Sequence, residues 1–163
     1  SALKARGIEA LNLGDGVRAE AKRRDLEPTG DNLGKLMLEL REKNGPGAIA
    51  ELLTEPIKNS QSKVIIIDGI RSTAEIEVLK NTGSVKLLSI EATDDTRYKF
   101  LSSRGRSDDP TTREKFEERD NRELGVGIGE SIAIADETIV NSDITLDELT
   151  ELAYEVIEKW IDT

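Results

Sequence analysis

Four short apolar runs, each followed by residues with helical periodicity, constrain the fold of this 163-residue chain more than any other feature. Alternation of this kind marks βα units around a mostly parallel sheet, which makes the chain an α/β domain. The runs predict strands at residues 8–13, 63–68, 85–91 and 137–141. The second and third carry Val, Ile and Leu on consecutive positions, as strands covered on both faces do, and are expected to be the core strands. A chain of this length is large enough for one domain with one core.

Helical patterns fill the intervals. Residues 15–24 form a short segment with a basic end; 31–43 place Leu33, Leu36, Met37 and Leu40 at helical spacing, and 46–59 do the same with Ile49, Leu52, Leu53 and Ile57. The stretch 15–60 is therefore a helical insertion between the first two strands, longer than an ordinary βα connection and expected to cover a substrate. Ser72 with Glu75, and Thr145 with Glu148, have the spacing of helix capping boxes opening segments 72–80 and 145–161. In the latter, Leu146, Leu149, Ala153, Val156, Ile157 and Trp160 form one apolar stripe. Between 94–103 and the last strand lies the most charged part of the chain, where Phe116 is the only large apolar residue between Arg104 and Leu124.

The composition restricts the chemistry. With no cysteine and no histidine, thiol nucleophiles, disulfides, Ser-His-Asp triads and the commonest zinc sites are excluded. Carboxylates, lysines and arginines remain, a set suited to phosphoryl transfer, which relies on positioning and electrostatic stabilisation. A formal charge of −10 disfavours a nucleic-acid backbone as partner but not a compact anion held by a few arginines. No apolar segment approaches the roughly 20 residues of a membrane span and no signal-peptide pattern opens the chain, so no membrane partner and a cytoplasmic location are expected.

Two strand ends carry matching charged groups. The run Val64-Ile65-Ile66-Ile67 breaks into Asp68, Gly69 and Arg71, and the first run breaks into Gly14, Asp15, Gly16, Val17 and Arg18. Ligands of open α/β sheets sit outside the carboxyl ends of the parallel strands. Asp68 there could hold Mg²⁺ and Arg71 could fork onto a phosphate or carboxylate. Asp15 would orient or deprotonate an acceptor hydroxyl and Arg18 contact an acceptor phosphate. The structural alternatives are a turn at Asp68-Gly69 and a helix N-cap at Asp15 followed by a solvated Arg18.

Arg104, Arg106, Arg113, Arg119 and Arg122 form a second cluster, in which Lys115, Arg119 and Arg122 would share one helical face. The segment is either a lid whose arginines close over a transferring phosphoryl group or a solvated face balanced by Glu114, Glu117, Glu118, Asp120 and Glu123.

Further short elements follow this order: Asn32-Leu33-Gly34-Lys35-Leu36, Gly45-Pro46-Gly47, Arg104-Gly105-Arg106-Ser107-Asp108-Asp109, Glu118-Arg119-Asp120, Gly127-Ile128-Gly129-Glu130, and Ala135-Asp136 with Ile139-Val140-Asn141. Together with the two strand ends, they make nearly the whole chain resemble the P-loop kinases of the adenylate kinase and dephospho-CoA kinase group, and most of all an archaeal family related to dephospho-CoA kinase. The resemblance implies a single domain over 1–163: a three-layer, P-loop nucleotide-kinase-like parallel sheet with an acceptor-side helical insertion at 15–60 and an Arg-rich lid at 104–124. It implies ATP and Mg²⁺, with Asp68 at the metal and, with the substrate-binding Arg71, at the transfer site, Arg104 and Arg106 acting on the transferring group, Arg119, Arg122 and Asn141 on the nucleotide, and Asp15 with the substrate-binding Arg18 on the acceptor side. The activity implied is transfer of the ATP γ-phosphoryl group to a nucleotide-like or CoA-precursor-like acceptor; the alternative is a nucleotide-binding or sensor module without turnover. The expected partners are thus a small-molecule nucleotide and its acceptor, and the sequence carries no signal of oligomeric state.

One element of that family is not matched: no segment reads G-x-x-x-x-G-K-[ST], the loop whose amides and lysine cradle phosphates. Ser1-Ala2-Leu3-Lys4 resembles the helix that follows such a loop. The expectation is that roughly 15–20 further residues precede Ala2, an apolar strand lying mid-sheet and a Gly-rich loop ending in Lys-Ser or Lys-Thr.

Overall fold

The computed structural model describes residues 7–162, so the segment Ser1–Lys4 lies outside the described residues. Strand β1 (Glu9–Asn12) runs parallel to β2 (Ile65–Asp68), with Glu9 opposite Ile65 and Asn12 opposite Asp68. Strand β3 (Leu88–Glu91) runs parallel to β4 (Glu137–Val140), with Glu91 opposite Val140. All four predicted strands are present and parallel, each shorter than expected. They form two separate two-stranded sheets, where the sequence predicted one.

This split corrects the expectation that β2 and β3 are covered on both faces. Ile65, Ile66 and Ile67 are only half-buried, and in β3 Ser89 is buried while Ile90 is 50% exposed. A strand paired along one edge leaves its other edge, and the side chains beside it, accessible. The tightest packing is instead helical. Leu13, Val17 and Ala21 of α1 (Leu13–Arg23) meet Leu33, Leu36 and Leu40 of α2 (Gly30–Asn44) and Ala48, Ile49 and Ala50 of α3 (Ala48–Glu51). Each large aliphatic side chain sealed there contributes about 1.5–3 kcal/mol.

The helix predicted over 46–59 is broken into α3 and α4 (Thr54–Asn59). Pro56 explains the break, since its ring would collide with the carbonyl of Leu52 in a continuous helix. Both capping boxes form: Ser72 caps α5 (Thr73–Lys80) and Thr145 caps α9 (Leu146–Ile161). On α9, Ala153 and Ile157 are buried, whereas Leu146, the first helical residue, is 73% exposed.

The charged stretch becomes α6 (Asp94–Arg104), an irregular turn, and α7 (Arg113–Val126), followed by the short α8 (Ile128–Ala133). Phe116 is sealed at 1% exposure, edge-on to Tyr98 at 5.5 Å between ring centroids, with the Arg97 and Arg113 guanidiniums over its ring. Helical spacing puts Phe116, Arg119, Asp120 and Glu123 on one face. The single aromatic anchor that fixes α7 on α6 therefore also aims Arg119 and Glu123 inward. Lys115, expected to share the arginine face, is exposed.

Candidate functional site

The carboxyl ends of β1 and β2 meet through side chains. Asn12 Nδ2 donates to Asp68 Oδ2 at 2.9 Å, and Asn12 Oδ1 accepts from the Asp15 main-chain N–H at 3.2 Å. Asn12 is therefore the N-cap of α1, not Asp15, which lies in the first turn. Sequence reasoning passed over Asn12, although an Asn directly before a helical pattern is an N-cap signal. After Asp68 the chain reverses at Gly69, whose φ of +95° suits glycine; the predicted turn and a placed carboxylate coexist.

These strand ends open onto a cavity of about 200 Å³. Seven arginines line it, Arg18, Arg41, Arg71, Arg104, Arg106, Arg119 and Arg122, against three carboxylates, Asp68, Asp108 and Glu123. A chain of net charge −10 thus encloses a locally cationic pocket. Of the residues singled out from sequence, Arg18, Asp68, Arg71, Arg104, Arg106, Arg119 and Arg122 line this cavity; Asp15, Asn141, Lys115 and Arg113, which pairs with Asp95, do not. The Asp15 carboxylate lies 2.7 Å from Arg18 and faces a neighbouring groove beside β1. Asn141 is in the other half-sheet, where its N–H donates to the Glu91 carbonyl at 2.6 Å.

Several of the arginines are already engaged by carboxylates. Arg18 Nη2 contacts both oxygens of Asp108, at 2.8 and 3.0 Å. Burial disfavours the Arg18 charge, but Asp108 and Asp15 outweigh it and raise its pKa. One oxygen of Glu123 accepts from Arg71 Nε at 3.0 Å and from Arg119 Nε at 3.2 Å. Burial pushes the Glu123 carboxyl up; the two arginines more than reverse this and hold it below its ordinary value. Arg104 pairs with Asp109, which also accepts from the Arg106 N–H at 2.8 Å. Ser107 Oγ donates to the Pro28 carbonyl at 3.1 Å, so the 104–109 turn rests on the chain leading into α2.

Behind the pocket, the fully buried Glu75 fixes the loop after β2. Its Oε2 accepts from the N–H groups of Arg71 at 2.7 Å and Ser72 at 3.1 Å, while Oε1 lies 3.4 Å from Arg41 Nη2. Arg41 was missed from sequence. Its position four residues after Met37 and eight after Leu33, on the inward stripe of α2, was the available signal.

Asp68 is exposed and keeps one oxygen outside its bond to Asn12. No cluster of three or more acidic ligands occurs among the described residues. A lone carboxylate suits Mg²⁺, which is commonly held by one or two carboxylates together with substrate phosphates and water. No helix among the described residues is long and apolar enough to cross a membrane.

Residues 1–117 match the family described as AAA domain. The chain is 41% identical over 147 residues to the UPF0200 protein of Pyrococcus abyssi, an alignment covering 87% of this chain and 79% of the relative. It is 43% identical over 157 residues to the UPF0200 protein of Methanothrix thermoacetophila, covering 94% and 85%, and 37% identical over 159 residues to that of Hyperthermus butylicus, covering 98% and 85%. Nothing in these matches singles out dephospho-CoA kinase. An arginine-lined cavity at the ends of parallel strands and these similarities agree: the chain belongs to the UPF0200 family and carries an AAA domain, a P-loop type of nucleotide-binding domain.

Proposed function

We propose that this protein is a small-molecule kinase that transfers the γ-phosphoryl group of ATP to a nucleotide-like or CoA-precursor-like acceptor. The observation that carries the reading is Asp68 facing a cavity walled by arginines from both sides, with Arg18 and Arg71 at the strand ends and Arg104, Arg106 and Arg119 on the 104–124 segment. Phosphoryl transfer spreads negative charge over the transferring oxygens, and fixed guanidiniums in a confined site stabilise that charge.

In this reading Arg18 and Arg71 hold the acceptor, with Asp15 orienting Arg18 from behind. Arg104, Arg106 and Arg119 neutralise the transferring group, and the 104–124 segment is the lid, hinged on the α6 side of the Phe116 anchor. Asn141 serves the nucleotide base from the second half-sheet. Asp68 would hold Mg²⁺, which when bound supplies charge neutralisation of the phosphates. The ligands are small molecules, not nucleic acid or membrane, and the location is cytoplasmic.

The test is turnover of γ-labelled ATP with Mg²⁺ against a panel of hydroxyl and phosphate acceptors, in wild type and Asp68→Asn. Asp68→Asn should lower turnover at least a hundredfold with little change in melting temperature, because its carboxylate is exposed and makes a single side-chain bond among the described residues, to Asn12. Turnover within twofold of wild type would remove Asp68 from the site. ATP binding without transfer to any acceptor would replace the kinase by a nucleotide-binding module.

A further inference from the structure

The arginines of the cavity differ in how far their charge is already answered. Arg18 is held by Asp108, Arg71 and Arg119 by Glu123, and Arg104 by Asp109, while Arg106, on the 104–109 turn, has no side-chain carboxylate partner among the described residues but is exposed to solvent. Arg41 is not answered to the same degree. Its side chain is 11% exposed, its Nε is buried without any hydrogen-bond partner, and its one carboxylate contact, Glu75, lies at 3.4 Å. That carboxylate is already committed to two shorter main-chain bonds. A buried cation with one long contact is under-compensated.

Arg122 is the second such group. Its side chain makes no hydrogen bond or ion pair among the described residues, and it reaches across from α7 to α2 at Gly34. A Cβ built on Gly34 would stand 2.1 Å from Arg122 Nη1 and 3.2 Å from its Cζ, so the guanidinium occupies the place of the missing side chain. Glycine within a helix is otherwise unfavourable. Gly30, Leu33, Met37 and Arg41 of the same helix line the cavity beside it.

We infer that the α2 wall of the cavity is a separate anion subsite, built from Arg41 and Arg122 with Gly34 as the seat of Arg122, and that it takes a phosphomonoester group of a small-molecule ligand. Two guanidiniums lacking full counter-charge favour a dianion over a monoanion, and the three free oxygens of a phosphomonoester can accept from both. The subsite does not require that phosphoryl transfer occurs in the cavity.

Gly34→Ala is the sharpest perturbation, because it removes no charge and raises helix propensity, yet a methyl group there must push Arg122 away. Binding of methyl phosphate, inorganic phosphate and acetate is measured by calorimetry in wild type, Gly34→Ala, Arg122→Gln and Arg41→Gln, with melting temperatures alongside. Methyl phosphate and phosphate should bind wild type and lose at least tenfold in affinity in Gly34→Ala and Arg122→Gln. Melting temperature without ligand should be unchanged or higher in Gly34→Ala, and ATP·Mg²⁺ affinity should change less than threefold, an outcome that takes Arg122 from the nucleotide, where the family resemblance put it, to this subsite. Arg41→Gln should show the same loss; if it fails to fold, the other two variants decide.

Wild-type affinity in both Gly34→Ala and Arg122→Gln overturns the subsite. So does binding of inorganic phosphate without methyl phosphate, equal binding of acetate, or an equal loss of ATP·Mg²⁺ affinity. Variant-sensitive methyl phosphate binding in a protein that transfers no phosphoryl group leaves the subsite standing and the kinase reading fallen. Transfer with unchanged KM for every acceptor in Gly34→Ala does the reverse.

Discussion

Glu123→Gln probes how α7 is tied to the loop after β2. Glu123 bridges Arg71 and Arg119 through one oxygen, and the three side chains are only 19%, 15% and 20% exposed. The amide keeps an acceptor oxygen but loses its charge, so both bonds survive from charged donors to a neutral acceptor while the two half-buried guanidiniums lose their shared counter-charge, a loss of about 1 kcal/mol for each. The expected destabilisation is therefore about 2 kcal/mol, or about 4–8 °C in melting temperature for a domain of this size. Because the folded-state pKa of Glu123 is depressed, the stability it adds is fully present above the unfolded value of about 4.3 and disappears as pH falls through the folded value. Urea unfolding at pH 7, 5 and 3 should show the gap between wild type and Glu123→Gln intact at the first two and closing at the third. Phosphate should bind Glu123→Gln more tightly, since Arg71 and Arg119 are released to meet it. Equal stabilities at pH 7, or a gap that persists unchanged to pH 3, would refute the bridging role.

Arg71→Ala should weaken acceptor or nucleotide affinity by about 1.5–3 kcal/mol, the worth of one charge-assisted partner; titration showing unchanged affinity for both would exclude Arg71 from the site. Phe116→Ala should cost about 3–5 kcal/mol in chemical denaturation, and a loss under about 1 kcal/mol would mean that α7 is held by its ion pairs and not by its aromatic anchor. The open edges of β2 and β3 predict faster amide exchange there than in α1 and α2; equal protection by hydrogen exchange would contradict the open edges.

Local signals carried much of the fold. Ser72-x-x-Glu75 and Thr145-x-x-Glu148 encode their caps within four residues, and both form as read. Burial of the strands was less legible, because apolar runs such as Val64–Ile67 announce a strand but not how many neighbours it acquires. Ile90 shows the consequence: its type suits a covered face, while its accessibility is set by an edge that no local pattern encodes. The break between α3 and α4 could have been read from Pro56, but the apolar periodicity of Ile49, Leu52, Leu53 and Ile57 continues through it and masked the steric signal.

The site was legible as a set of residue types and much less as a set of pairings. Asp68, Arg71 and Arg18 were found because strands deliver them to one edge, and the 104–124 arginines because they cluster. Which carboxylate answers which arginine is decided by contacts spanning 90 positions for Arg18 with Asp108 and 52 for Arg71 with Glu123, beyond any sequence window. Those pairings determine the chemistry. A guanidinium already held by a carboxylate must exchange partners to bind a ligand, whereas Arg122 gains a counter-charge without giving one up and Arg41 has at stake only its long 3.4 Å contact with Glu75. The order in which the seven arginines would meet an anion is thus set by the acidic residues around them, and the overall charge of −10, which points away from anions, conceals it.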